Sequence, residues 1–331
     1  MRALWVCNAK SSLVECRLKQ KGGYGTPLYF HLMYLSSDCD PINSGNSVLP
    51  ILYFILILIT GCFAGAVGAV SGLGGGVLLI PALTILFGVP IQYAAGASLI
   101  ATIATSSGAA SSYVKDRLSN IKIGMSLEIA TTLGAIAGAL VAGLIYAHGL
   151  GSLIFIIFGI VLLLSLYPAL MQFKKNRLKP QNRDWTTKTF QLSGSYYDEA
   201  SRKTVHYSGY RWWLGEIVMG FAGIISGLLG IGSGVLKVIG MDWGMKLPMK
   251  VTTATSDFMI GVTAAAGSAI YWSFGYIQPF LAAPIVVGVL MGAFAGSKLL
   301  EKSASRKIRM FFLVVLAVVA LEMVLRGLGV A

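Results

Sequence analysis

Long apolar runs alternate with short polar breaks from residue 49 onward, and this pattern sets the expected fold. Uncharged runs of about 20 residues are long enough to cross ~30 Å of hydrocarbon as helices. The first is predicted over Leu49–Val70, followed by a short apolar piece, Val77–Phe87, that falls short of a full crossing. Helices are then expected over Ile91–Val114, Ile123–Tyr146 and Ser152–Phe173. Pro90 opens the first of these, where a fixed φ and a missing N–H do no harm. After a polar stretch the scheme recurs: Trp212–Leu229, a short Val235–Ile239, then Val251–Trp272, Phe280–Leu300 and Ile308–Leu325. The expected fold class is an all-α polytopic membrane protein, with about eight full transmembrane helices and two short broken ones. Composition agrees: 56% of the 331 residues are hydrophobic and only 12% are charged, a balance foreign to soluble domains.

Each short piece follows a glycine-rich interruption. Gly72-Leu73-Gly74-Gly75-Gly76 precedes one and Gly230-Ile231-Gly232-Ser233-Gly234 the other, and both continue Val-Leu. A glycine costs about 1 kcal/mol against alanine inside a helix, so both stretches read as helix breaks. Backbone groups freed at membrane depth are tolerated only under cover of protein or beside a watery cavity. N–H groups freed at the start of a helix can hold an anion. Gly74, Gly75, Gly76, Gly232, Ser233 and Gly234 are therefore candidate substrate contacts, with close helix packing as the competing role. Hydroxyls cluster beside both breaks. Ser98, Thr102 and Thr105 share one helical face, as do Thr252, Thr255 and Ser256. Most such hydroxyls bond their own backbone, but Ser98, Thr102, Thr255 and Ser256 join the candidates by their position.

The two breaks belong to an internal repeat. Gly72 and Gly230 differ by 158 positions, and the same offset matches Phe63-Ala64-Gly65 with Phe221-Ala222-Gly223 and Pro90 with Pro248. It also matches Ser98 with Ser256, Thr105 with Thr263, Tyr113 with Tyr271, and Gly134 and Gly138 with Gly292 and Gly296. Small residues four apart let membrane helices approach closely, and packing is the expected role of the last four glycines.

The net charge of +13 is placed where topology would put it. Residues 174–211 carry nine Lys/Arg against Asp184, Asp198 and Glu199, so this segment is expected to be a cytoplasmic loop. Loops 115–122, 240–250 and 301–309 are basic, whereas 88–91, 148–151 and 273–279 carry no Asp, Glu, Lys or Arg. Equivalent loops of the two halves thus face opposite sides, the signature of inverted-topology repeats. Each first helix must then return through its short piece after the break. The expected organisation is an N-terminal polar extension 1–48, a first transmembrane repeat 49–173, the basic loop 174–211 and a second repeat 212–331.

Few side chains within these runs can do chemistry. Cys7, Cys16, Cys39 and Cys62 form no CxxC pattern, and His31, His148 and His206 are scattered, so no metal site and no cofactor are expected. Catalytic and nucleotide-binding motifs are absent, and no βαβ pattern surrounds the glycines. Ionisable groups at membrane depth are functional candidates. Asp257 is the foremost, as carrier of a coupling proton, and Lys237 after the second break is its expected neighbour, with a structural Lys237–Asp257 ion pair as the other reading. Glu128, Glu216, Glu322 and Arg326 are placed near helix ends, with Glu322 and Arg326 at pairing distance in sequence.

Gly-Leu-Gly-Gly-Gly-Val-Leu-Leu-Ile-Pro (72–81), Gly88-Val89-Pro90 and Ala97-Ser98-Leu99 resemble the first-half motif of the TauE/SafE family of sulfite exporter-like proteins. Residues 246–265, from Lys246-Leu247-Pro248-Met249-Lys250 through Thr255-Ser256-Asp257-Phe258 to Ala265, resemble the second-half motif. The resemblance covers about residues 50–330. It implies a plasma-membrane carrier of small, often sulfur-containing anions, built of two related halves. Two departures matter: Asp257 stands where the family usually has asparagine, and Ala97 where a hydroxyl is usual. The expected function is secondary transport of a small anion, with alternating access by rocking of the halves and an ion or substrate gradient as the drive. The expected partners are a small anionic substrate and the lipid bilayer, not nucleic acid, and a homo-oligomer is compatible with the sequence. The alternative is a membrane-embedded sensor or subunit that binds a ligand or partner without transporting it. A cation carrier is disfavoured, since no cluster of His, Cys or carboxylates is present.

Overall fold

A computed structural model of the chain describes residues 48–115, 118–171, 192–198, 203–232, 234–302 and 305–327. The extension before Val48, Ser233 and every basic residue from Lys174 to Arg202 lie outside them. The first half consists of α1 (Val48–Ser71), α2 (Gly76–Ile85), α3 (Ile91–Lys115), α4 (Ile121–Ala147) and α5 (Gly151–Met171). A hairpin follows, β1 (Ser193–Asp198) with β2 (Lys203–Ser208). The second half is α6 (Trp212–Leu229), α7 (Gly234–Ile239) running into a π-helical turn (Gly240–Gly244), α8 (Met249–Ser273), α9 (Pro279–Lys302) and α10 (Ser305–Gly327). Every helix expected from the apolar runs is present, with ends displaced by a few residues at most.

Four segments are long and apolar enough to cross a membrane by length and composition: Leu52–Ser71 in α1, Ile121–Ala147 in α4, Trp212–Leu229 in α6 and Pro279–Lys298 in α9. They carry large apolar side chains outward, among them Phe54, Ile59, Ile129, Leu133, Phe221 and Phe294. An apolar surface of that extent calls for lipid. The hydroxyl-rich α3 and α8 lie inside, with Ser98, Thr102, Thr105, Thr252, Thr255 and Ser256 fully buried.

The packing repeats the sequence offset. The most extensive pairings are α1 with α9 and α4 with α6, and α3 with α9 is matched by α8 with α4. Their closest approaches recur residue by residue. A side chain on Gly134 would meet the Gly220 carbonyl, and one on Gly292 the Cys62 carbonyl; Gly138 faces the Ile224 carbonyl and Gly296 that of Ala66. Gly65 likewise lies on Val289, and Gly223 on Thr131. Every one of these partners is again 158 residues from its counterpart. Cys62, a free thiol, is thus a small residue at a tight helix crossing.

Helices α3 and α8 pack against each other in opposite directions. Leu99 in α3 touches Gly267 in α8, Ser106 donates to the Asp257 carbonyl at 2.5 Å, and Tyr113 packs with Val251. Both short helices double back along the helix before them. Gly75 stands 3.0 Å from the Ala64 carbonyl by the position a Cβ would take, and the rings of Phe87 and Tyr53 meet edge-on with centroids 5.3 Å apart. In the second half, Gly240 lies against Val218 and Gly244 against Leu214, near the start of α6.

The two ends of the bundle differ. One gathers aromatic side chains: Tyr276 meets Tyr146 at 5.4 Å, Tyr271 at 6.1 Å, Phe274 at 5.9 Å and Tyr93 at 6.3 Å between centroids. At the other, Leu118 and Leu247 of the basic loops are buried in two separate apolar clusters, and the β-hairpin segment reaches both, through Tyr196 in the first and Leu192 in the second. This hairpin is an addition to the all-helical expectation. Alternation in Leu192, Gly194 and Tyr196, and again in Val205 and Tyr207, is short and set within a polar segment. Its inner face is held by the bundle: Tyr196, Val205 and Tyr207 pack on Ala69, Tyr113, Val251 and Ala293. Leu192 sits among Ile123, Met241, Met245 and Met259. Asn120 donates to the Tyr207 hydroxyl at 3.1 Å. Burial pushes the Tyr207 phenol above its ordinary range, and the Asn120 bond holds it partly back.

Candidate functional site

The two glycine breaks meet inside the bundle, at the middle of α3 and α8. Both chains turn there through left-handed backbone: Gly72, Gly74 and Gly75 have φ of 76°, 73° and 71°, and Gly230 and Gly232 have 73° and 75°. Side chains rarely adopt this region, whereas glycine enters it freely. Gly74 and Gly232 share the same two neighbours, Thr102 of α3 and Ile260 of α8. Those two residues are themselves 158 apart, so the contact is shared symmetrically between the halves. Gly72 abuts Thr253, and Gly230 abuts Ala95, its counterpart.

The first break opens onto unpaired hydroxyls. Ser98 Oγ and Thr102 Oγ1 are buried without a hydrogen-bond partner. A Cβ placed on Gly76 would stand 2.5 Å from the first, 2.8 Å from the second and 3.3 Å from the Ile231 carbonyl of the other break. Gly76 is also the first residue of α2, so these hydroxyls border a helix N-terminus. The Gly76 N–H turns back to the Gly74 carbonyl at 2.8 Å, and Gly75 caps the helix with no side chain of its own. Buried hydroxyls in proteins are almost always satisfied; Ser226 and Thr252 also lack a partner, and what distinguishes Ser98 and Thr102 is that both adjoin Gly76 at the break. Thr105 is satisfied through the Ala101 carbonyl at 2.9 Å.

The remaining expected residues are placed differently. Ser256 donates to the Gly72 carbonyl at 3.0 Å and so ties α8 to the first break. Thr255 is turned toward α4: its Oγ1 accepts from the Asn120 N–H at 3.0 Å and its methyl faces Gly124. Gly234 lies against Leu73 and the Gly72 carbonyl. Asp257 is fully buried, and neither of its carboxyl oxygens has a hydrogen-bond partner. By helical spacing it stands between Thr253 and Ile260, the residues that touch the breaks.

Lys237 does not pair with Asp257. Its ammonium lies 3.3 Å from Glu128 Oε2 and also donates to Thr263 Oγ1. Thr263 in turn donates to Glu128 Oε1 at 2.5 Å, and Thr132 donates to the same oxygen at 3.1 Å. Glu128 therefore lies inside the bundle, two turns into α4, not near a helix end as expected. Sequence spacing could not show this, because the pair joins α7 to α4 across 109 positions. Arg326 likewise reaches away from Glu322, to the Thr84 carbonyl at 2.7 Å. Among the described residues no group of three or more His, Cys, Asp or Glu is arranged to hold a metal ion.

An apolar-surfaced helical bundle with broken helices meeting at its centre belongs to the class of membrane transporters. The family model described as sulfite exporter TauE/SafE matches residues 57–323. The chain belongs to that family. It is similar to the probable membrane transporter protein YunE of Bacillus subtilis (strain 168), at 30% identity over 83% of this chain and 98% of the relative. It is also similar to the probable membrane transporter protein MJ0441 of Methanocaldococcus jannaschii, at 25% identity over 83% and 97%. YdhB of Bacillus subtilis, again named a probable membrane transporter protein, is 26% identical over 75% and 89%. No solved structure matches the chain.

Proposed function

We propose that the protein is a secondary carrier of small, sulfur-containing anions in the cell membrane, working by alternating access with proton coupling. The observation that carries this reading is the pair of unpartnered hydroxyls, Ser98 and Thr102, facing the start of α2 where the two breaks meet. Hydroxyls and a helix N-terminus can replace water around an anion, and a broken helix at mid-membrane is where carriers place their substrate. The family match supports the sulfur chemistry of that anion. Asp257 is the proton carrier in this reading: an ionised carboxylate without partners costs several kcal/mol, so the group must take a proton or gain a partner as the halves move.

Eight helices cross the membrane and α2 and α7 are re-entrant. Antiparallel α3 and α8 support a two-fold axis in the membrane plane, and the basic loops gather at the hairpin end, which faces the cytoplasm. Rocking of one half against the other would expose the site to each side in turn.

Purified protein in liposomes should carry labelled sulfite down its gradient. Absence of flux under sulfite, sulfonate and proton gradients would leave the sensor reading in its place. Ser98→Ala combined with Thr102→Val tests the site itself. Each lost hydrogen bond to a bound anion costs about 1 kcal/mol, so sulfite affinity should fall about tenfold or more in sum. Thermal stability should not fall, because neither hydroxyl has a partner to lose. Unchanged affinity would return both residues to packing.

A further inference from the structure

The ion pair found at Lys237 has no counterpart across the repeat, where the same offset puts Leu79 of α2 in place of Lys237 and Val286 of α9 in place of Glu128. Packing alone is therefore served at this position by two apolar residues. A buried ion pair is also weak as a source of stability, since desolvation offsets most of its attraction. What the pair does offer is a donor set. The Lys237 ammonium and the hydroxyls of Thr263 and Thr132 converge on the two oxygens of one carboxylate, and a small oxyanion asks for the same donors. Lys237 lies one turn beyond Gly234, on the short helix that follows the second break.

We infer that Glu128 is an internal stand-in for the substrate, and that an incoming oxyanion displaces its carboxylate from Lys237 and Thr263 as Glu128 takes up a proton. This inference rests on the transport reading above and deepens it. Charge balances through the exchange. Before it, the ammonium is matched by the Glu128 carboxylate; after it, the ammonium is matched by the anion and Glu128 is a neutral acid. One proton accompanies each singly charged anion. The proton arrives from water by way of Asp257, under two turns before Thr263 on α8, and rests on Glu128 while the anion is bound. The other charged groups on the elements packed around the pair are Lys122 on α4, Glu216 on α6, Asp242 in the π-helical turn and Lys250 on α8. The fifth helix, which packs on α7, carries none.

Binding of methanesulfonate, whose charge does not change over the working pH range, tests the exchange in purified full-length protein. Wild type should bind more tightly as pH falls. Glu128→Gln should bind at least tenfold more tightly than wild type at neutral pH and lose the pH dependence. Equal or weaker affinity in folded Glu128→Gln, or a pH slope like that of wild type, overturns the inference. Should that variant fail to fold, the double replacement Glu128→Gln with Lys237→Met leaves no unpaired charge and should bind no methanesulfonate at any pH; wild-type affinity there overturns it equally. Sulfite flux by wild type in liposomes is read alongside. Flux with an unaltered Glu128→Gln affinity defeats the exchange alone, whereas neither flux nor binding in wild type defeats the transport reading and the exchange with it.

Discussion

Asp257→Asn is expected to abolish proton-driven anion uptake while leaving the protein folded. Asparagine keeps the shape of the side chain, and the Ser106 bond runs to the Asp257 backbone carbonyl, not to its carboxyl. The replaced carboxyl oxygens have no hydrogen-bond partner, so no structural bond is lost. What asparagine cannot do is take up and release a proton. Liposomes loaded with a pH-sensitive dye and supplied with labelled sulfite report both fluxes at once. Proton entry should drop to that of empty liposomes, and accumulation of anion against its gradient should disappear with it. Equilibrium binding should survive, because the donors at Lys237, Ser98 and Thr102 are untouched. Proton entry matching the anion flux of wild type would remove Asp257 from the mechanism.

The largest loss of stability is expected from valine at Gly138 or Gly292. A Cβ on Gly138 would overlap the Ile224 carbonyl and come 2.9 Å from the Leu228 nitrogen; on Gly292 it would overlap the Cys62 carbonyl and come 2.8 Å from the Ala66 nitrogen. The obstructing atoms are backbone, so no rotamer change relieves the overlap. The helices must separate along crossings where small residues supply the packing that lipid cannot. Overpacking of this kind costs about 3 kcal/mol or more, a large share of the stability of any protein. Both variants should lose the monodisperse peak in fluorescence-detected size exclusion, whereas valine at the unobstructed Gly220 should keep it. An equal peak for Gly138→Val would show that these two crossings yield.

The helices themselves were legible because membrane helices are written in long apolar runs, and lipid imposes that pattern whatever the tertiary contacts are. The breaks were legible for a related reason. Left-handed backbone at Gly72, Gly74, Gly230 and Gly232 needs glycine, and glycine is visible in a sequence. The repeat made the packing glycines readable too, since Gly134 and Gly292 meet equivalent carbonyls. The hairpin was not legible. Its two strands are held by Tyr196, Val205 and Tyr207 against a surface built from α1, α3, α8 and α9, and a segment of six residues per strand carries little signal without that surface.

The candidate site divides along the same line. Membership of the apolar class, the two halves and the glycine breaks follow from local pattern and from an offset that any reader of the chain can measure. Which polar groups meet depends on contacts between distant elements, and there the expectation for Lys237 went to the wrong acid. Glu128 and Asp257 are both carboxylates buried in the bundle, and no spacing rule distinguishes them as partners of a lysine on a third helix. Only the packing of α4 against α6 and α8 carries Glu128 to the ammonium and leaves the Asp257 carboxyl without a partner. The same packing turns Thr255 toward Asn120 and leaves Ser98 and Thr102 facing Gly76. The chain alone specifies where its helices break; the three-dimensional fold selects which polar groups line the break, because hydrogen bonds and ion pairs reach a few ångströms in space and take no account of distance along the sequence.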